Sequence, residues 1–155
     1  MNILIIDYNK NYSKQIPELF TNTIHKTCNK DYNKEQLEAW ANPSIDYKAW
    51  EDRLSTTKPY LAIIENTLVG FTEFYDDYVD CFYVDANYQS KGVGKELLNH
   101  IFKIAKQNGI KTLRVDASIT AKPFFEKFGF KELRRNLVSR GNQELVNYSL
   151  TLNLS

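Results

Sequence analysis

From Tyr60 to Val84 the apolar residues cluster in three short runs, Tyr60 to Glu65, Leu68 to Asp76 and Tyr78 to Val84, broken at Asn66-Thr67 and at Asp76-Asp77. Runs of this length bounded by turn formers predict strands joined as an antiparallel meander. The period then changes. Val93, Leu97, Leu98, Ile101, Ile104 and Ala105 fall on one helical stripe, which Asn108-Gly109 ends through a left-handed cap. A strand over Lys111 to Asp116 follows, and because a helix connects it to the strand at 78–84 the two are expected to run parallel, with a cleft at their carboxyl ends. A helical stretch from Ser118 through Lys127 closes at Phe128-Gly129-Phe130. Two last strands, Lys131 to Ser139 and Glu144 to Leu152, flank a turn at Gly141-Asn142.

The first sixty residues carry more helix. Met1 to Asp7 reads as a strand. Ser13 to His25 places Ile16, Leu19, Phe20 and Ile24 at helical spacing, with Ser13 as N-cap and Pro17 near the start. Asn33 to Trp40 predicts a second helix and Asp46 to Leu54 a third, in which Trp50 and Leu54 are an i,i+4 pair; Asn42-Pro43-Ser44 separates the two.

With 155 residues and no repeat, linker or low-complexity stretch, the chain is expected to be a single domain over 1–155. Its formal charge of +1 gives no electrostatic case for nucleic acid or an anionic membrane. The apolar start is too short, and lacks the basic leader, for a signal peptide, and no later run spans a bilayer. Cys28 and Cys81 have no partner spacing for zinc and make no disulfide framework, so a reduced, cytoplasmic protein is expected.

The richest segment is Gln89-Ser90-Lys91-Gly92-Val93-Gly94, set between a strand and an amphipathic helix. Glycines at such a junction let backbone N–H groups approach phosphate oxygens, and the helix start adds a favourable dipole; Lys91 and Lys95 add positive charge. It is not a P-loop, since Gly94-Lys95 is followed by Glu96 rather than Ser or Thr. Nor is it a dinucleotide loop, since Leu97 stands where a third glycine belongs. Tyr88-Gln89-x-x-Gly92-x-Gly94, preceded by Tyr83-Val84-Asp85 and followed by Leu97-Leu98, closely resembles the acetyl-coenzyme A loop of the Gcn5-related N-acetyltransferases (GNAT). The likeness is strongest from about Val69 to Phe130, where Pro123 to Phe130 is similar to the family's closing helix and Gly-Phe exit. Glu35 to Trp40 and Ala117 to Phe125 resemble the YafP-like bacterial branch.

The resemblance implies the GNAT α/β (α+β) fold: a mixed, mostly antiparallel central sheet flanked by helices, with two splayed parallel strands forming the cofactor cleft. It implies acetyl-CoA as co-substrate, no metal, and transfer of acetyl to a primary amine of a small molecule or peptide by direct attack in a ternary complex, and it allows a homodimer. The implied cofactor residues are the backbone of Phe82, Tyr83 and Val84, the loop Gln89, Ser90, Lys91, Gly92, Val93, Gly94 and Lys95, and Ser118, Pro123 and Phe124. A lysine-like amine, with a pKa of about 10, must lose a proton before it attacks. Asp80, expected to share a strand face with Tyr78 and Phe82, and Glu73 on the preceding strand are the candidate bases. His25, alone at a helix end, reads as structural. Many relatives carry an asparagine early in the closing helix and a tyrosine seven positions later as acid for the departing thiolate; here those places hold Ser118 and Phe125, which leaves Tyr148 as the substitute acid. A catalytically silent acyl-CoA sensor and a structural α/β domain are the competing readings. Trp40, Trp50, Tyr32, Tyr47 and Tyr60 surround the acceptor side without naming the amine.

Overall fold

The computed structural model describes residues 2–154, so that of the first strand's expected span Met1 lies outside the described residues. One seven-stranded sheet runs in the order β1-β2-β3-β4-β5-β7-β6, built from β1 (Leu4–Ile6), β2 (Tyr60–Ile64), β3 (Thr67–Tyr75), β4 (Tyr78–Val84), β5 (Thr112–Ser118), β6 (Lys131–Arg140) and β7 (Gln143–Asn153). Every pairing is antiparallel except β4 with β5. The meander forms where its turn residues allow left-handed backbone: Glu65 and Asn66 at φ 48° and 65°, and Asp76 at φ 53°.

Helices α1 (Gln15–Thr27), α2 (Lys34–Trp40) and α3 (Tyr47–Thr57) cover one face, and α4 (Val93–Gln107) and α5 (Lys122–Lys127) the other. Strand alternation divides the core accordingly. On β2, Leu61 and Ile63 pack with Ile16, Leu37 and Leu54 of the first three helices, while Ala62 and Ile64 pack with Val93 and Leu97 of α4. Of the stripe expected on α4, Val93, Leu97, Leu98, Ile101 and Ala105 are at 1% exposure or less, and Ile104 is half-buried at its edge. Asn108 and Gly109 (φ 70°) end that helix, and the Ile110 N–H returns to the Ala105 carbonyl. No helix of the described residues is long and apolar enough to cross a membrane.

Two helix starts differ from expectation. Asn9, not Ser13, supplies the side-chain cap near the first helix: it accepts from Asn11 N in a short 3-10 turn over Lys10–Tyr12, and α1 begins at Gln15 with no side-chain cap. Ser118 ends β5 instead of opening a helix; its Oγ accepts from Ala121 N at 3.0 Å and shapes the turn into α5.

Two irregularities of β4 make the site. Glu73 of β3 faces both Asp80 and Cys81, because the register runs Thr72↔Phe82 and then Phe74↔Val79. This bulge resets the alternation. Tyr83 points to the α1 side, where its ring meets Phe20 at 5.0 Å, and Phe82 points to the α5 side, 5.2 Å from Phe125. The expectation that Phe82 shares a face with Asp80 is therefore corrected. The second irregularity is a splay: β4 and β5 pair only at Tyr78↔Arg114 and Val79↔Val115, and diverge beyond. From Asp80 onward the β5-facing edge of β4 has no strand beside it.

Candidate active site

The splay opens a groove of about 520 Å³ bounded by the start of α4, by α5 and by Thr23, Thr27 and Cys28 at the end of α1. Phe82, Tyr83 and Val84 form one wall, Gln89, Ser90, Gly92, Gly94 and Lys95 the loop end, and Ser118, Ala121 and Phe124 the opposite wall. The loop is set by its own sequence. Gln89 Nε2 donates to the Val84 carbonyl at 2.7 Å, turning the chain back on the strand it has just left. Ser90 and Gly92 adopt φ 59° and 89°. At Gly92 a Cβ would meet nothing within 4 Å, so backbone conformation demands the glycine there; at Gly94 a Cβ would come within 2.9 Å of the Phe124 ring, so close packing demands it. No side chain caps α4, which leaves its first turn free to meet an anion.

A second cavity, about 310 Å³, lies on the α1 to α3 side of the same splay and shares Phe82, Tyr83, Ser118, Ala121 and Phe125 with the groove. Its floor is charged. Glu73 is fully buried and accepts from Arg53 Nε at 3.2 Å and Nη2 at 2.5 Å. The same Nη2 lies 3.1 Å from Cys81 Sγ and 4.0 Å from Asp80 Oδ2. Glu73, Asp80 and Cys81 offer ligand atoms within 4.8 Å of one another, and the Arg53 guanidinium stands among them as their countercharge. Asp80 keeps 38% of its side chain exposed and accepts from Tyr75 Oη at 3.2 Å. Burial, and then the charge of Glu73, push its pKa up against the opposing pull of Arg53. Burial likewise raises the Cys81 thiol and the Tyr83 phenol well above their ordinary values, so both are protonated at neutral pH. Across the splay, Asp116 accepts from Ser149 Oγ at 2.6 Å and Tyr78 Oη at 3.1 Å.

Two adjoining cavities thus lie over a splayed parallel pair, and one of them ends on a glycine loop and a bare helix start. Residues 28–152 match the model of the acetyltransferase (GNAT) domain. The chain belongs to the GNAT acetyltransferase family. It is 35% identical over 137 residues to the uncharacterised N-acetyltransferase YafP of Escherichia coli K12, covering 88% of this chain and 87% of that protein. A GCN5-related N-acetyltransferase structure from Rhodopseudomonas palustris superposes with a TM-score of 0.93 at 31% identity, covering 99% of this chain and 97% of that one. The fold is shared more widely: the Salmonella typhimurium acetyltransferase YncA, solved with its cofactor acetyl-CoA, gives a TM-score of 0.72 at 17% identity over 100% of this chain and 95% of that one.

Within this GNAT site the residues expected from sequence separate into groups. Phe82, Tyr83, Val84, Gln89, Ser90, Gly92, Gly94, Lys95, Ser118 and Phe124 line the groove. Lys91, Val93 and Pro123 do not. Val93 is 1% exposed because it starts the buried stripe of α4, and the side chains of Lys91 and Pro123 face solvent. Asp80 lines the second cavity, with Glu73 beneath it. Tyr148 lines neither cavity: on β7 it alternates to the α5 face, where its ring lies 4.3 Å under Lys122 Nζ. His25 Nε2 donates to the Ala41 carbonyl at 2.7 Å, a tie between α1 and the end of α2. Arg53, Asp116, Tyr78 and Arg140 were missed. Arg53 had a usable signal, since it stands three residues after Trp50 on a predicted helix and lies 5.2 Å over that ring.

Proposed function

We propose that this protein moves an acetyl group from acetyl-CoA to a primary amine of a small molecule or peptide, by direct attack within a ternary complex. The observation that carries this reading is the shared wall of the two cavities. A donor along the β4 edge and an acceptor on the α3 side would meet over Phe82, Tyr83, Ser118, Ala121 and Phe125 without a covalent relay.

The residues fit such a donor. The open edge of β4 offers backbone groups that amides of an extended chain can pair with, and the first turn of α4 with Lys95 suits a pyrophosphate. Acetyl-CoA supplies an activated acyl carbon as a thioester. Asp80, half-exposed in the acceptor cavity, takes the proton of the incoming ammonium, directly or through a water. Glu73 and Arg53 neutralise each other beside it, and a β4 edge N–H aimed at the carbonyl contributes roughly 3 to 4 kcal/mol of barrier lowering. Phe125, 1% exposed among Phe82, Phe124 and Phe130, offers no proton to the leaving sulfur; a thiolate of ordinary pKa departs without one near neutral pH.

That same phenylalanine favours the second reading, a non-catalytic acyl-CoA-binding module. Free-thiol release from acetyl-CoA in the presence of a panel of primary amines decides between them. Amine-dependent release supports the enzyme; tight acetyl-CoA binding without release on any amine selects the sensor.

A further inference from the structure

Two guanidiniums line the acceptor cavity, and their partners differ. Arg53 is held by Glu73 through two hydrogen bonds. Arg140 has no carboxylate of the described residues within 4.0 Å; its Nη1 donates only to the carbonyl of its neighbour Ser139, at 2.9 Å. Yet Arg140 is on a braced support. It ends β6 at the hairpin tip, where Gly141 turns at φ 58°, and the hairpin is tied to the helical face. Gln36 Nε2 donates to the Glu144 carbonyl at 2.8 Å, and the Tyr32 hydroxyl donates to the Val146 carbonyl at 2.5 Å while accepting from Ile119 N at 2.9 Å. Within the same cavity lie Asp80 and Asp116, whose hydrogen-bond donors are neutral hydroxyls. Asp80 feels the positive charge of Arg140, although no ion pair joins them. The cavity thus has an anionic side at the splay and a free cationic group at the hairpin.

We infer, resting on the acetyltransferase reading above, that the acceptor is a small amine that also bears a carboxylate, its nitrogen at Asp80 and its carboxylate on Arg140. A guanidinium presents two parallel N–H donors that match a carboxylate, a geometry an ammonium cannot supply. A polyamine suits the cavity poorly, since its second ammonium would meet Arg53 and Arg140. Asp80 first takes one proton from the ammonium and releases it to water; the neutral nitrogen then forms the new N–C bond as the C–S bond breaks, coenzyme A leaves as the thiolate, and the second nitrogen proton passes to the freed Asp80 carboxylate.

The test is thiol release from acetyl-CoA with matched acceptor sets: L-phenylalanine, L-phenylalaninamide and phenethylamine, with the corresponding leucine and lysine sets. In at least one set the acid is expected to exceed its amide and its decarboxylated amine by about 10- to 100-fold in kcat/KM, the scale of one charge-assisted pair. Arg140→Gln should collapse that ratio to near unity through KM, and Arg140→Lys should restore part of it. If the amides react as well as the acids in every set, or if Arg140→Gln leaves the acid preference intact, the inference is overturned while the acetyltransferase reading stands. If acetyl-CoA binds and no acceptor of any set releases thiol, the inference is overturned, and release with the wider panel of primary amines decides the acetyltransferase reading separately.

Discussion

Glu73 has no exposed side-chain surface and holds Arg53 with both oxygens, whereas Asp80, beside it across the bulge, keeps 38% of its side chain open to the acceptor cavity. Equal chemistry in unequal surroundings assigns them different work. Asp80→Asn should lower turnover by about 100-fold or more with acetyl-CoA affinity retained, the range for a positioned base, measured as kcat and Kd; undiminished turnover would remove Asp80 from the mechanism. A base acts when ionised, and burial followed by Glu73 raises the Asp80 pKa above the reference 3.8. The acidic limb of kcat/KM should therefore lie above the pH of an ordinary carboxylate and disappear in Asp80→Asn. Glu73→Gln removes the repelling charge and frees Arg53 to act on Asp80, so the limb should move to lower pH while stability falls by about 1 to 3 kcal/mol, the cost of unpairing a guanidinium that can partly rehydrate. Tyr148→Phe should change turnover by less than about threefold, far below the roughly 100-fold effect of a proton donor, because its ring serves Lys122 and lines neither cavity. At this scale the sequence showed the two carboxylates but not their ranking. A bulge cannot be read from alternation, and Arg53 arrives from a helix 20 positions before Glu73.

Among the elements, the loop and first turn of α4 were the most legible, because a glycine loop, a helical stripe and a strand stand next to one another in sequence. The meander was equally plain, its turns marked by Asn66 and Asp76, both at positive φ. Harder were the starts of α1 and α5, where Ser13 reads as an N-cap and Ser118 as the opening of a helix; Lys14 and Ala121 occupy the cap positions without a side-chain cap, and local propensity yields to the path into the neighbouring turn. The insertion of β7 between β5 and β6 is a long-range choice with no local mark. Contact across elements also alters the meaning of Gly94. Its missing Cβ makes room for Phe124 of α5, with 2.9 Å to the ring, as much as for a phosphate. Gly94→Ala should accordingly lower stability by about 1 to 3 kcal/mol, the usual cost of overpacking, seen as a drop in Tm. Phe124→Leu in the Gly94→Ala background should recover most of that loss, whereas equal melting of parent and Gly94→Ala would show that α5 yields freely.

The whole molecule is two sheet halves, β1 to β4 and β5 with β7 and β6, joined by two parallel residue pairs at Tyr78↔Arg114 and Val79↔Val115. Beyond them the sheet is left open, and an unpaired backbone group shielded from water costs about 1 to 3 kcal/mol. A ligand whose amides pair with the β4 edge would lower that cost and bridge the halves, so binding and global stability are coupled. Acetyl-CoA at about a hundred times its Kd should stabilise the fold by about 2.7 kcal/mol, which for a chain of this size raises Tm by about 5 to 11 °C. The two parts of the site can be separated in the same measurement. Adenosine diphosphate can engage the Gln89 to Lys95 loop but has no pantetheine to lie along β4, so its binding should be weaker and its shift at equal concentration smaller. Lys95→Glu, on the groove wall, should reduce both shifts, since it reverses a charge at the anion end. If adenosine diphosphate matches acetyl-CoA at equal concentration, the loop alone holds the ligand, the β4 edge is not paired by it, and the splay must be explained by something other than donor binding.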